Sequence, residues 1–258
     1  MDTIVIKCGG SILSELSDSF FTSIKELKNN GYKVVIVHGG GPEIGQMLAS
    51  LSIESEFVNG LRKTTSEVLD VAEMKLSGTV NKKLVSLLGK AGIQAVGLSG
   101  CDGSLLQVKP IDLESLGYVG EVTKVNTQFL QQMLELDYVP VISPIGIDEN
   151  FSKFNINADT AAASVAIALE AKHLLFVTDV DGIMKNGEVL PALSTTTVRE
   201  LIEEGTIYGG MIPKVKAALS ALETGSLHEI TIINGKDSLV AMDGSLKGTK
   251  IVKELEVV

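Results

Sequence analysis

The chain has 258 residues, 45% of them hydrophobic and only 4% aromatic, which supplies one substantial core or two closely joined lobes and excludes a disordered or fibrous protein. A formal net charge of -10 argues against a surface built to hold a nucleic-acid backbone or an anionic membrane, so any phosphate site has to be local. Cys8 and Cys101 are far apart and lack the paired spacing of a zinc site or a disulfide framework, which fits a reducing cytoplasm.

Met1 to Lys7 lacks the basic start and long apolar core of a secretory signal, and no later apolar run approaches membrane-spanning length, so a cytosolic protein is expected. The first half alternates strand-like and helix-like runs: Ile4 to Lys7, Phe20 to Asn30, Lys33 to His38, Pro42 to Leu51. That rhythm predicts βα units and a largely parallel sheet. Glycines follow the first two strands, Gly9-Gly10 and Gly39-Gly40-Gly41, and Pro42 suits the opening turn of the next helix. Thr64 and Glu67 have capping-box spacing and open a long amphipathic stretch to about Lys90, with Gly78 as a kink or close-packing point. Between Ser104 and Lys124 the alternation breaks into hairpin-like pieces around 116–122, which predicts an antiparallel excursion from the main sheet. The pattern then resumes with a strand from Tyr138 to Ser143, an alanine-rich helix from about Ala158 to Ala171 and a strand from His173 to Thr178. Thr197 and Glu200 repeat the capping-box spacing, Met211 to Thr224 is helical in period, and Glu229 to Ile233 and Thr249 to Val252 are strands. No linker, repeat or low-complexity tract divides the chain, so a single two-lobed α/β domain over residues 1–258 is expected.

The first strand delivers Lys7 into Gly9-Gly10-Ser11, which sets an ammonium beside backbone N–H groups that can approach an anion closely. A lysine at a strand end also serves as a solvated terminator. His38-Gly39-Gly40-Gly41-Pro42 lies between a strand and a helix, so several donors and a helix N-terminus can face one site, although a plain glycine-rich connection reads the same way. Neither cluster is a Rossmann or P-loop fingerprint: Ile44 stands where the dinucleotide loop needs glycine, and no Gly-x4-Gly-Lys-Ser/Thr occurs. Asn59 to Thr64 supplies Arg62, whose planar fork suits a carboxylate or a surface ion pair. Asn155-Ile156-Asn157-Ala158-Asp159 sets two amides and a carboxylate at a helix start, where Asn157 or Asp159 can also be a cap. Gly209 to Lys214 brings a second lysine, which is a plain solvated residue if taken alone.

Taken together, Lys7-Cys8-Gly9-Gly10-Ser11, His38 to Glu43, Gly60 to Thr64, Asn155 to Asp159 and Thr178 to Ile183 resemble the amino acid kinase family, from Lys7 to about Thr249, and most closely its members that act on N-acetyl-L-glutamate. The resemblance implies a three-layer α/β/α sandwich around a largely parallel central sheet, with two lobes: residues 1–171 for the acceptor and dimerisation, 172–258 for the nucleotide. It implies ATP-dependent phosphorylation of the side-chain carboxylate of N-acetyl-L-glutamate, in arginine biosynthesis. Lys7 and Lys214 would contact the transferring phosphoryl group, Asp159 would accept from both ammonium groups, and the N–H groups of Gly10 and Gly40 would add donors. Gly40 and Gly41 would receive the reacting carboxylate, while Arg62 and Asn155 would hold the other end of the acceptor. The nucleotide would lie on Thr178, Asp179, Val180, Asp181, Gly182, Ile183 and Met184, and on Thr206, Ile207, Tyr208, Gly209, Gly210 and Met211. Mg²⁺ would be held mainly by its phosphates, with no protein metal ligand assigned; Asp179 and Asp181 read equally as turn residues around Gly182. A relative acting on a longer acid such as N-acetyl-aminoadipate, or a non-catalytic sensor of the same fold, is the alternative. Because the chain starts almost at its first strand, the likeness also implies a homodimer insensitive to arginine rather than a hexamer.

Overall fold

The valine- and isoleucine-rich runs form strands buried along almost their whole length, as a parallel sheet covered on both faces requires. The computed structural model describes residues 2–224, 227–241 and 244–253. At its centre is an eight-stranded sheet, in the order Ala192–Ser194, Thr249–Val252, Glu229–Asn234, His173–Thr178, Thr3–Cys8, Lys33–His38, Val139–Ser143 and Ala95–Ser99. From Glu229–Asn234 onward these strands run parallel. Thr249–Val252 pairs antiparallel with Glu229–Asn234 and parallel with Ala192–Ser194, so the chain direction reverses only at that edge.

Side chains alternate between the two faces. Val5, Val35, Val37, Leu174 and Phe176 share one core with the alanine-rich helix Ala158–Ala168 and with Val215, Ala218 and Leu222 of helix Met211–Thr224. Ile4, Ile6, Val34, Ile36 and Val177 share another with helices Asp18–Asn29 and Asn81–Lys90. The three layers read from the family likeness are therefore present.

The antiparallel excursion is larger than the hairpin that the sequence predicts. Leu106–Pro110 and Val119–Val125 pair antiparallel and close, with Ile145–Ile147 and Lys153–Ile156, into a four-stranded barrel. Residues 116–118 belong to its connecting loop, not to a tight turn. The long helix expected from Thr64 also differs. It runs as Ser66–Glu73, a π-helical segment Met74–Val80 that contains Gly78, and Asn81–Lys90. Its cap is Thr65, whose Oγ1 accepts from the N–H of Val68 at 3.3 Å. Thr64 is instead drawn into the fold: its N–H donates to Leu116 O and its carbonyl accepts from Tyr118 N, each at 2.8 Å. Similarly, Ser194 caps helix Thr195–Glu203 by accepting from Thr197 N, so Thr197 sits inside the first turn. Among the described residues no helix is long and apolar enough to cross a membrane.

Candidate active site

Three neighbouring strands end together, with Cys8 level with both His38 and Val177. Their carboxyl ends therefore release Gly9-Gly10, Gly39-Gly40-Gly41 and Thr178-Asp179 side by side, at the edge where open α/β sheets place ligands. The ladder continues one residue further, with Gly9 N–H donating to Val177 O at 3.0 Å and Gly39 N–H to Cys8 O at 2.9 Å. Beyond that point the two glycine turns meet. A Cβ on Gly10 would stand 2.9 Å from Gly40 N, Gly41 N and Pro42 Cδ, so only a residue without a side chain permits this approach. Among the described residues the N–H groups of Gly10, Gly40 and Gly41 donate to no protein acceptor. Gly40 also caps helix Gly41–Ser50, which adds the positive end of a helix dipole.

Lys7 is the last charged residue of its strand and is almost fully buried; its Nζ lies 2.7 Å from Asp159 Oδ1. Buried ions need a partner, and this pair provides one. Asp159 is held by the start of helix Ala158–Ala168, where Asn157 accepts from the N–H groups of Asp159 and Thr160. Asn157 is thus the cap, and Asp159 is the carboxylate turned to the lysine. Next to Lys7, the Cys8 thiol is pushed up to about 12 by burial, with the charge of Lys7 opposing, so it is packing and not a thiolate nucleophile.

Lys214 comes from the other half of the chain. Burial first, and then the charge of Lys7, push its pKa down, while Asp159 and Asp179 pull the other way. The two ammonium groups therefore act on each other across one site. Lys214 Nζ donates to Gly210 O at 3.3 Å and Asp159 forms its ion pair with Lys7, while the charge of Asp159 also acts on Lys214.

Two clefts meet at this point. The smaller, about 310 Å³, is lined by Lys7, Gly10, Gly40, Gly41, Arg62, Asn155 and Asp159, the whole set expected around the acceptor and the transferring group except Lys214. The larger, about 480 Å³, is lined by Lys214 and by Thr178 to Met184 and Thr206 to Met211, apart from Asp181 and Gly209. Asp181 instead accepts from Asn234 Nδ2 at 2.7 Å. Among the described residues no three His, Cys, Asp or Glu side chains gather as a metal site. Ser11, named in the sequence only as the end of the glycine turn, lines both clefts and so marks their junction.

Arg62 reaches the smaller cleft from the short hairpin Phe57–Val58 and Leu61–Arg62. Its guanidinium lies 4.6 Å over the Phe57 ring and donates to Gly41 O at 3.1 Å and to Ser55 Oγ. Burial lowers its pKa, the penalty of a cation kept partly out of water, which an anion in the cleft would offset. Asn155 belongs to the barrel strand Lys153–Ile156, where its N–H donates to Tyr118 O at 2.9 Å and its amide to Thr64 Oγ1 at 3.2 Å. The barrel thus carries one wall of this cleft. Phe57 and Leu76 also line it, and nothing local in their sequence distinguishes them from core or surface residues.

A parallel sheet with two anion-suited clefts joined at the glycine turn after a buried lysine defines a class of phosphoryl-transfer protein. The amino acid kinase family model matches residues 2–234, and the chain belongs to that family. An acetylglutamate kinase of Geobacillus sp. (strain WCH70) is 58% identical over 255 residues, 99% of this chain and 98% of its own length. Another acetylglutamate kinase, from Halalkalibacterium halodurans, is 56% identical over 254 residues, 98% of this chain and 97% of its own length. The crystal structure of smu.665 from Streptococcus mutans UA159 superposes with a TM-score of 0.88 at 32% identity, covering 98% of this chain and 99% of that one.

Proposed function

We propose that this chain catalyses the ATP-dependent phosphorylation of the side-chain carboxylate of N-acetyl-L-glutamate, giving N-acetyl-L-glutamyl 5-phosphate, as an enzyme of arginine biosynthesis. The named activity of relatives at 58% and 56% identity supports the substrate. The observation that carries the chemistry is the meeting of two clefts at the turn after Lys7, with Lys7 on one side and Lys214 on the other.

ATP occupies the larger cleft, over Thr178 to Met184 and Thr206 to Met211, and its γ-phosphoryl group reaches the Gly10-Ser11 turn. Mg²⁺ would be held mainly by the nucleotide phosphates and would offset part of their charge. N-acetyl-L-glutamate occupies the smaller cleft, with its α-carboxylate on Arg62 and Asn155 and its side-chain carboxylate toward Gly40 and Gly41. That carboxylate is already ionised near neutral pH, so no general base is required. Its oxygen attacks phosphorus, the bond from phosphorus to the β–γ bridging oxygen breaks, and ADP leaves. The main demand is to neutralise the negative charge brought together, which Lys7, Lys214 and the N–H groups of Gly10 and Gly40 meet with donors already in place. Asp159 holds Lys7 in position. In this reading residues 1–171 form the acceptor lobe and 172–258 the nucleotide lobe, and two chains assemble as a homodimer in the cytoplasm, which light scattering on the purified chain tests.

Hydroxylamine trapping tests the reaction directly, because an acyl phosphate yields a hydroxamate and a phosphate ester does not. The expected result is hydroxamate from ATP and N-acetyl-L-glutamate. Hydroxamate from N-acetyl-aminoadipate and none from N-acetyl-L-glutamate would overturn the substrate. None from any acid would overturn the reaction.

A further inference from the structure

His38 is completely buried at the end of its strand, immediately before the three glycines, and the mechanism above gives it no task. Its two ring nitrogens have different partners. Nδ1 lies 2.9 Å from the carbonyl oxygen of Gly39, which can only accept, so Nδ1 carries the proton. Nε2 lies 3.2 Å from Asn81 Nδ2 and therefore accepts. The amide of Asn81 is oriented in turn: of its two Nδ2 hydrogens one goes to Val141 O at 2.8 Å and the other is shared between His38 Nε2 and Leu98 O at 3.3 Å, while Oδ1 accepts from Lys82 Nζ at 3.0 Å. Each link fixes the next, so one tautomer and one ring orientation are specified.

The carbonyl that His38 holds belongs to the peptide whose N–H is Gly40's. In a trans peptide the C=O and N–H point in opposite directions, so anchoring the Gly39 oxygen aims the Gly40 N–H. Glycine cannot fix that plane by itself, since its backbone rotates with little steric restraint. A second restraint comes from the π-helical segment Met74–Val80: a Cβ on Gly40 would stand 2.7 Å from Leu76 Cδ2 and 3.3 Å from Val80 Cγ2. The residue after that segment is Asn81, so a single stretch both covers Gly40 and supports His38. π-Helical turns inserted in α-helices occur frequently at functional sites.

We propose that His38 is a positioning residue for phosphoryl transfer: its Nδ1–H, locked by Asn81, holds the Gly39–Gly40 peptide so that the Gly40 N–H points at the group being transferred. The inference rests on the role given to Gly40 above. Two substitutions separate positioning from packing. In His38→Asn the side-chain amide nitrogen falls near the place of Nδ1 and keeps a donor for Gly39, whereas in His38→Gln it falls near Nε2 and loses that donor while filling the same space.

Both variants are expected to lose similar thermal stability in the full-length protein. His38→Gln is expected to lose kcat about tenfold to a hundredfold, because a misaimed donor weakens contact with the transition state, with the KM values of ATP and acceptor little changed. His38→Asn is expected to stay within a fewfold of the wild-type kcat. Equal losses of kcat in both variants, or none in His38→Gln, would overturn the proposal. A second readout does not depend on the acceptor. Titration with ADP, Mg²⁺ and aluminium fluoride is expected to shift the Gly40 amide resonance in the wild type and His38→Asn but much less in His38→Gln, and the same shift in all three would also overturn it. A wild-type chain that forms no hydroxamate refutes the functional reading instead, and the Gly40 resonance then decides this one.

Discussion

Gly10→Ala is the substitution whose consequence the geometry fixes most tightly. The added methyl carbon would lie 2.9 Å from Gly40 N, Gly41 N and Pro42 Cδ, and no flexible side chain is available to yield, since two of these atoms are backbone and the third is in a proline ring. Reaching an ordinary contact requires the turns after Cys8 and His38 to part by about 0.5 Å, and overpacking of this kind costs about 1–3 kcal/mol. In a chain of this size that lowers Tm by several degrees. The larger effect is on rate. The parted turns carry the N–H groups of Gly10 and Gly40, and since a 1 Å misplacement of catalytic groups can cost about a hundredfold, a loss of about tenfold or more in kcat is expected. The assay is hydroxamate formation with saturating ATP and N-acetyl-L-glutamate, alongside thermal unfolding. Gly78→Ala is the control, because a Cβ there meets no atom within 4 Å. Its kcat and Tm are expected to stay near wild type. Gly10→Ala with wild-type kcat would refute the reasoning, because it would mean that the two turns do not jointly hold the transferring group.

Lys214→Ala is expected to lower kcat at least a hundredfold while changing the acceptor's KM little, and Arg62→Ala to raise the acceptor's KM with a smaller effect on kcat; steady-state kinetics of both variants check this, and equal small effects would contradict the assigned roles. Because burial and Lys7 hold the Lys214 pKa below its ordinary 10.5, this ammonium loses its proton earlier as pH rises. The kcat/KM of the wild type, which reports groups of the free enzyme, is therefore expected to fall on the alkaline side below pH 10.5, and Lys214→Arg to remove that limb from what activity remains. Burial depresses His38 from 6.5 to about 4, so the folded state binds fewer protons than the unfolded state between those values. The stability associated with neutral His38 is present above about pH 6.5 and is lost as pH falls toward 4, about 3 kcal/mol in all. Urea unfolding at pH 7 and pH 4 is expected to show a smaller acid loss in His38→Asn than in the wild type, and identical losses would contradict it.

The parts of this molecule legible in its sequence are those fixed by neighbours along the chain. Val34 to Val37 can hardly be anything but a strand buried on both faces, and Gly39 to Pro42 can hardly follow it as anything but a turn into a helix. The choice between Thr64 and Thr65 as cap was not legible, because both can accept from a helix N-terminus and what decides is the contact of Thr64 with Leu116 and Tyr118, some fifty residues away. The four-stranded barrel is likewise built from pairings between short, distant segments, none of which announces a partner. At the site, Lys7, Arg62, Asn155 and Asp159 stand out by residue type and motif order, and they do line one cleft. The motifs do not reveal that Asp159 forms its ion pair with Lys7, that Asn157 is spent as a cap, or that His38 is tied to Asn81 across 43 positions. These are properties of packing, and they appear only once the strands are side by side.

The central claim is that lysines from the two halves of the chain converge on one phosphorus atom. A crystal structure with ADP, Mg²⁺, aluminium fluoride and N-acetyl-L-glutamate bound together tests it most directly. The prediction is a fluoride group at the Gly10-Ser11 turn within hydrogen-bond distance of Lys7 Nζ, Lys214 Nζ and the Gly40 N–H, with the acceptor's side-chain carboxylate in line. A fluoride group bound in the nucleotide cleft out of reach of Lys7, or an acceptor seated away from Arg62, would contradict the account.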